Sequence, residues 1–171
     1  MNLHSARMPS INVNRNFTKM KNRDFQREGA VSNAHVGREF EGFAQKFFSK
    51  EGVTLSMNLL LPVGINGQVK SHAFDLGCEK AKIIVECKSH TWTKGGNVPS
   101  AKMTCWNEAM YYFCAAPIEY RKIFFVLKDL SKKRGVTLAE YYLRTYAHLI
   151  PAGVELWEYD QEIMKATHIN G

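Results

Sequence analysis

The sequence predicts an α/β fold with a central mixed β-sheet flanked by helices, in which the core elements follow the order αβββαβ. Three observations lead to this expectation. Apolar residues change from helical spacing to alternation after residue 52, two more strand-like segments follow, and a helix beginning at Pro99 precedes an apolar run over residues 122–127. An antiparallel meander followed by a crossover to a parallel strand gives a mixed sheet. Residues 33–171 contain no internal repeat or linker and are expected to form one domain.

The first half of this domain is predicted to contain one helix and three strands. The helix covers residues 33–52 and ends at Gly52. Residues 54–64 alternate between apolar and polar side chains, as expected of a strand, and residues 69–77 and 82–92 form the next two strands, joined by a tight turn. The apolar positions of the helix recur at near-helical spacing: Val36, Phe40, Phe43, Phe47 and Phe48.

The second half is predicted to contain two helices and two strands. A helix over residues 99–116 opens with a proline, which is favoured in the first turn. Residues 122–127 form a continuous apolar run of the kind found in a strand buried on both faces. Thr137 and Glu140 match a capping box at the start of the third helix, and residues 153–159 form a last strand.

The net charge indicates a polyanionic partner. The formal charge is +7, with 23 Lys and Arg against 16 Asp and Glu, and excess positive charge favours nucleic acids through the release of counterions. Residues 1–32 are polar, basic and without clear apolar periodicity, which predicts a loosely ordered N-terminal arm. A solvated tail and an arm that contacts the DNA backbone both fit this composition.

Membrane and metal–thiolate classes receive no support from the sequence. No apolar run approaches the roughly 18 residues that a membrane span requires, and the first residues contain no apolar leader segment, so a cytoplasmic protein is expected. The four cysteines show no C-x-x-C pair and no histidine at ligand spacing. This pattern favours reduced core residues over a zinc or iron–sulfur site.

The third predicted strand carries an unusual alternation of charge. Glu86, Lys88 and His90 are two residues apart and would share one face of a strand. If the preceding turn is centred on residues 80–81, Asp75 of the second strand lies directly opposite Glu86, with Cβ atoms about 4.5–5.5 Å apart. A shift of the register by one residue would instead move Asp75 to the other face.

Two facing carboxylates require a compensating cation, because like charges opposite each other destabilise a sheet. Mg²⁺ is held by one or two carboxylates and takes waters and phosphate oxygens as its other ligands. A nearby lysine can orient a nucleophile or stabilise developing charge. These residues therefore suit phosphodiester hydrolysis, although a Glu-x-Lys pair on an exposed strand face is also a common surface feature.

Asp75 and the segment Glu86-Cys87-Lys88, within the αβββαβ order, resemble the PD-(D/E)XK nuclease superfamily, which includes restriction endonucleases and Holliday junction resolvases. The resemblance covers residues 33–160 and implies a restriction-endonuclease-like core. It also implies that Asp75 and Glu86 bind catalytic Mg²⁺, for which Mn²⁺ can substitute, and that Lys88 is the catalytic lysine. The sequence departs from the family pattern at Phe74, since the residue before the aspartate is often proline in the family.

Many members of this family add a glutamate from the first helix. Glu41 is the preferred candidate, because it precedes Gly52 by eleven residues, a separation similar to the resolvase pattern, and Glu39 is the alternative. Asn107 and Tyr111 weakly resemble the Gln-x-x-x-Tyr motif of RecB-like nucleases, although core or surface packing is the favoured explanation of Tyr111. The candidate substrate contacts are His90, Lys94, Lys102, Asn107 and Tyr111.

The sequence thus predicts a Mg²⁺-dependent DNA endonuclease, with a restriction-type activity as first choice. A structure-specific resolvase or a repair nuclease is the alternative within the enzyme class. A non-catalytic, basic nucleic-acid-binding module is the alternative from another class. Cutting both strands usually requires two active sites, so a homodimer is expected. A separate partner subunit is not excluded by the sequence.

Overall fold

The computed structural model describes residues 33–171, and the predicted basic arm over residues 1–32 lies outside them. The mixed α/β class predicted from the sequence is confirmed. Three short strands over residues 130–131, 136–137 and 165–168 were not predicted from the sequence. The elements are α1 (Asn33–Lys50), β1 (Ser56–Ile65), β2 (Gln68–Cys78), β3 (Ile83–Lys88), α2 (Ser100–Ala115), β4 (Arg121–Leu127), β5 (Leu130–Ser131), β6 (Val136–Thr137), α3 (Leu138–Tyr146), a 3-10 turn (Ala147–Leu149), β7 (Val154–Asp160) and β8 (Lys165–His168).

Six of these strands form one mixed sheet in the order β1-β2-β3-β4-β7-β8, while β5 and β6 form a separate short hairpin. The pairs β1–β2, β2–β3 and β7–β8 are antiparallel. The pairs β3–β4 and β4–β7 are parallel, and α2 and α3 lie in the two connections between them. The predicted meander and crossover therefore place β3 inside the sheet.

The two faces of the sheet are covered by different helices. Phe124 and Phe125 are consecutive residues of β4, so they point to opposite faces. The ring of Phe125 packs 5.4–5.8 Å from three rings of α1, and that of Phe124 packs 5.1–6.5 Å from rings of α2 and α3. Hence α1 covers one face, and α2 and α3 cover the other.

The hairpin between β2 and β3 has the register that the sequence predicts. The amide of Lys82 donates to the carbonyl of Glu79 at 3.2 Å, which centres the turn on residues 80–81. Leu76 consequently pairs with Val85. Gly77 is required in this ladder, since a Cβ atom there would lie 2.9 Å from the carbonyl oxygen of Ile83 and would also meet the Leu59 side chain.

The predicted extent of the third strand was wrong. The sequence analysis continued it to residue 92, whereas β3 ends at Lys88. Beyond that point the chain is attached to the segment after β4, because Asp129 accepts from the Trp92 amide at 2.6 Å and from its indole N–H at 3.0 Å. His90 therefore does not continue the strand face of Glu86 and Lys88.

The structure also tests two further expectations, that the cysteines are reduced core residues and that no helix spans a membrane. All four cysteines are free thiols, but only Cys87 is buried and Cys114 is exposed, so the expectation of core positions was wrong for most of them. Among the helices of residues 33–171, none has the length and apolar character needed to cross a membrane.

The predicted capping box at the start of α3 is confirmed. The Thr137 hydroxyl accepts from the Glu140 amide at 3.1 Å, and the Glu140 carboxylate accepts from the Thr137 amide at 2.7 Å. Thr137→Ala is expected to lower the free energy of unfolding by about 1–2 kcal/mol in a denaturant titration, because α3 loses its cap. Thr145→Ala, at an exposed position of the same helix, should change it by less than about 0.5 kcal/mol. Equal losses in the two variants would contradict the capping role.

Candidate active site

Asp75 lies where the backbone ladders on both sides of β2 are interrupted. The ladder with β1 pairs Met57 with Leu76 and Leu59 with Phe74, but not the residues between them. The ladder with β3 stops at Leu76. In place of a backbone partner, Oδ2 of Asp75 accepts from the amide of Cys87 at 2.7 Å. This bond fixes the Asp75 carboxylate against the end of β3.

Asp75 and Glu86 converge on the ammonium group of Lys88. Nζ of Lys88 lies 2.6 Å from Oε2 of Glu86 and 3.5 Å from Oδ2 of Asp75. The three side chains are largely buried, with exposed fractions of 24% for Asp75, 7% for Glu86 and 17% for Lys88. The structure therefore brings together the aspartate, glutamate and lysine that the sequence singled out.

The electrostatics of this group define its charge state. Burial and the charge of Glu86 raise the pKa of Asp75, against the opposing effects of Lys88 and the Cys87 amide. Burial also disfavours the charged form of Glu86, but a hydrogen bond from His72 and the charge of Lys88 outweigh it and lower the pKa of Glu86. Burial alone would lower the pKa of Lys88, yet Glu86 and Asp75 raise it above its usual value. Lys88 is thus a charged donor at neutral pH.

Glu41 of α1 interacts electrostatically with the same group of charges. Burial raises the pKa of its carboxyl group, and the negative charge of Asp75 adds to this effect, whereas Lys88 acts against it. Phe40, the residue before Glu41, attaches α1 to the sheet, since its ring packs 5.8 Å from that of Phe125 in β4. Glu41, preferred over Glu39 from the sequence, is therefore the first-helix glutamate whose charge acts on this site.

His72 is a member of the site that sequence reasoning missed. Its Nε2 lies 3.3 Å from Oε1 of Glu86, so each oxygen of that carboxylate has a partner. The imidazole stacks on the Tyr112 ring of α2, with centroids 3.6 Å apart and planes inclined by 13°. The hairpin register, continued beyond Leu76, would place His72 opposite Ser89 rather than near Glu86. The sequence therefore gave no signal for this contact.

His90 lies against α2 instead of continuing β3. Its Nδ1 accepts from the indole N–H of Trp106 at 2.9 Å, and Trp106 is fully buried. Burial lowers the pKa of His90 to about 4, and the charges of Lys102 and Lys88 act in the same direction. His90 is therefore neutral at physiological pH and lies within the electrostatic reach of both lysines.

The other predicted substrate contacts are not linked to the acidic residues by the contacts described for residues 33–171. Oδ1 of Asn107 accepts from the Tyr142 hydroxyl at 3.0 Å, which ties α2 to α3. Tyr111 is 62% exposed, and its neighbour Tyr112 is the tyrosine that reaches the site histidine. Lys94 is exposed in the loop after β3.

Asp75 and Glu86 are the residues that could hold a metal ion. Within residues 33–171, no group of three or more His, Cys, Asp or Glu side chains is arranged as a metal site. Mg²⁺, however, needs only one or two protein carboxylates. The raised pKa of Asp75 reflects repulsion from Glu86 as well as burial, and a divalent cation would relieve that repulsion. The two carboxylates therefore fit Mg²⁺.

Comparisons with protein-family models, with curated proteins and with solved structures found no match for this chain. The geometry and electrostatics of the site itself are therefore the basis for inferring a function.

Proposed function

We propose that the protein is a metal-dependent DNA endonuclease with a core like that of the PD-(D/E)XK nucleases. The observation that carries the proposal is the convergence of Asp75 and Glu86 on Lys88, at 3.5 and 2.6 Å, at the end of an interior strand. Burying a pair of carboxylates lowers the stability of a fold, and such pairs are found at functional sites. A metal-dependent reaction would account for this pair. The net charge of +7 supports a nucleic acid as the substrate.

Each residue has a role in this reaction that follows from its position. Asp75 and Glu86 would hold Mg²⁺, or Mn²⁺ in its place, and the ion would lower the pKa of a bound water and stabilise charge on the phosphoryl group. Lys88 donates hydrogen bonds to the attacking water or to a phosphate oxygen, and its raised pKa keeps it charged. Glu41 would add negative charge that acts on the same group, which would strengthen the attraction for a divalent cation.

The proposed enzyme is of the restriction type and acts as a homodimer, because small nucleases that cut both strands of a duplex usually have two active sites, which a symmetric dimer supplies. A resolvase or repair nuclease would use the same site on branched or damaged DNA. A non-catalytic binding module is the second candidate, and one observation favours it. Lys88 already offsets the charges of both carboxylates without a metal ion.

The test is cleavage of supercoiled plasmid and of a four-way junction in Mg²⁺, Mn²⁺ or EDTA. Wild type is expected to cut in either metal and not in EDTA, and Asp75→Asn to lose about 100-fold or more in rate, because a metal ligand is lost. The matched control is Asp160→Asn, which removes a carboxylate that pairs with Lys128 on the surface at 3.2 Å.

The products separate the candidates. Discrete plasmid bands favour a restriction-type enzyme, and cutting confined to the junction favours a resolvase. DNA that is bound but stays intact in every metal would identify the binding module. Cleavage by Asp75→Asn at the wild-type rate would show that the active site lies elsewhere.

His72 is predicted to position Glu86 in this reaction. His72→Ala is expected to lower the cleavage rate by about 10- to 100-fold, as is common when the partner of a metal ligand is lost. Tyr112→Phe keeps the ring that stacks on His72 and should retain the wild-type rate. Steady-state kinetics over a range of Mg²⁺ concentrations checks this prediction. If His72 positions Glu86, His72→Ala should also need a higher Mg²⁺ concentration to reach half of its maximal rate.

His168→Ala is the matched control, because His168 also stacks on an aromatic ring, Trp157, with centroids 5.3 Å apart. It lies in β8, three strands from β3. If His168→Ala and His72→Ala lose the same activity, the effect belongs to general stability and the positioning role is wrong.

A further inference from the structure

The tautomer of His90 is set by a buried partner. The indole nitrogen of Trp106 can only donate a hydrogen bond, so Nδ1 of His90, 2.9 Å away, must be the ring nitrogen without a proton. In the neutral imidazole the proton is then on Nε2. His90 is only partly buried, so it offers a neutral N–H donor with its acceptor nitrogen already in use.

Lys102 lies on α2, the helix whose Trp106 holds His90. It precedes Trp106 by four residues on α2, so the two side chains share one face of the helix. The first turn of α2, which contains Lys102, has no acidic residue to offset its charge. Because His90 is bonded to Trp106, this spacing puts Lys102 one helical turn from the residue that holds the imidazole, and the charge of Lys102 contributes to the low pKa of His90.

These groups form a set of donors next to the candidate active site. His90 follows Lys88 by two residues, and the charge of Lys88 also acts on the imidazole. A site that combines a fixed neutral N–H with an ammonium group suits an oxyanion, because the oxyanion accepts from both. A cation would be repelled by Lys102, and the only acceptor nitrogen of His90 is already bonded to Trp106.

On the basis of the proposed function, we propose that Nε2–H of His90 and the ammonium group of Lys102 form a second phosphate subsite. Its ligand is a backbone phosphate of the DNA strand other than the phosphate that is hydrolysed. His90 supplies a hydrogen bond whose direction is fixed by Trp106, and Lys102 supplies charge. The subsite would hold the strand in register with Lys88 and the carboxylates.

The test uses the dependence of DNA affinity on salt, which separates a charged contact from a neutral one. Binding of a fluorescent DNA duplex is measured in EDTA by anisotropy over a range of salt concentrations. Lys102→Gln is expected to reduce the slope of log K against log salt by about 0.9, because one phosphate contact no longer releases a counterion. His90→Ala is expected to weaken binding about tenfold at every salt concentration with an unchanged slope, because the lost donor is neutral.

Lys165→Gln is the matched control, since it removes the same charge from an exposed position of β8, three strands from β3. It should leave both affinity and slope as in wild type. An equal change in slope for Lys165→Gln and Lys102→Gln would overturn the subsite, as would wild-type binding by His90→Ala and Lys102→Gln. The same holds if wild type does not bind the duplex in EDTA.

NMR of ¹⁵N-labelled histidine provides a second readout on the wild-type protein. We expect Nδ1 of His90 to be unprotonated at neutral pH, and the Nε2–H resonance to shift when the duplex is added. A protonated Nδ1 or an unchanged Nε2–H resonance would overturn the proposal. If the protein cleaves DNA, but the two variants bind like wild type and the Nε2–H resonance does not shift, the nuclease function stands and the subsite is wrong. The reverse result would keep the subsite and lose the nuclease.

Discussion

In the proposed nuclease, Lys88→Met is expected to reduce DNA cleavage by about 100-fold or more, because the candidate active site loses its charged donor. The same substitution is expected to lower the free energy of unfolding by about 3 kcal/mol, because removing one partner from a buried ion pair leaves the other charge uncompensated. Here two carboxylates, Asp75 and Glu86, would face each other without the ammonium group that now lies 3.5 and 2.6 Å from them. Plasmid cleavage and denaturant unfolding measure the two effects separately.

The stability of this variant should also respond to metal. Since Mg²⁺ can replace the lost positive charge, we expect a titration with MgCl₂ to raise the melting temperature of Lys88→Met more than that of wild type. Lys128→Met is the matched control, because Lys128 is 43% exposed and pairs with Asp160 on the surface. It should cost less than about 1 kcal/mol and show no added response to metal. A Lys88→Met protein as stable as wild type would refute the role of Lys88 as counter-charge.

The hairpin between β2 and β3 shows how much of the site could be predicted from the sequence. The turn at residues 80–81 and the alternation along β3 were sufficient to expect Asp75 near Glu86 and Lys88. They were not sufficient to show how Asp75 gets there. Its carboxylate takes the amide of Cys87 where both ladders are interrupted, and on the β1 side Asn58 has φ of +54°. The alternation of side chains along a strand does not predict that interruption of the ladders.

The contacts that the sequence did not predict join residues far apart in the chain. His72 contacts Glu86 from beyond Leu76, where the ladder stops, and its ring stacks on Tyr112 of α2. His90 follows the end of β3, and its ring accepts a hydrogen bond from Trp106 of α2. Hydrophobic periodicity places each element separately, but it does not give the side-chain contacts between elements. The same limit explains why the end of β3 was misplaced.

The aromatic cluster between β4 and α1 is expected to control both the stability of the fold and the position of Glu41. Phe125 is fully buried, and its ring packs 5.4–5.8 Å from those of Phe40, Phe47 and Phe48 of α1. Phe125→Ala is expected to cost about 4 kcal/mol, through lost apolar burial and the cavity left behind. That is a large fraction of the roughly 5–15 kcal/mol that stabilises a typical domain.

Phe124→Ala separates the loss of stability from the loss of the α1 attachment that positions Glu41. Phe124 is equally buried but packs against α2 and α3 on the other face, so it should cost a similar amount while leaving α1 attached. Hydrogen exchange is expected to increase in the amides of α1 for Phe125→Ala and in those of α2 for Phe124→Ala. Because Glu41 is adjacent to Phe40, Phe125→Ala should also lose cleavage at temperatures where it remains folded. Faster exchange in α1 for both variants would show that the two faces unfold together, and that Phe125 has no separate hold on Glu41.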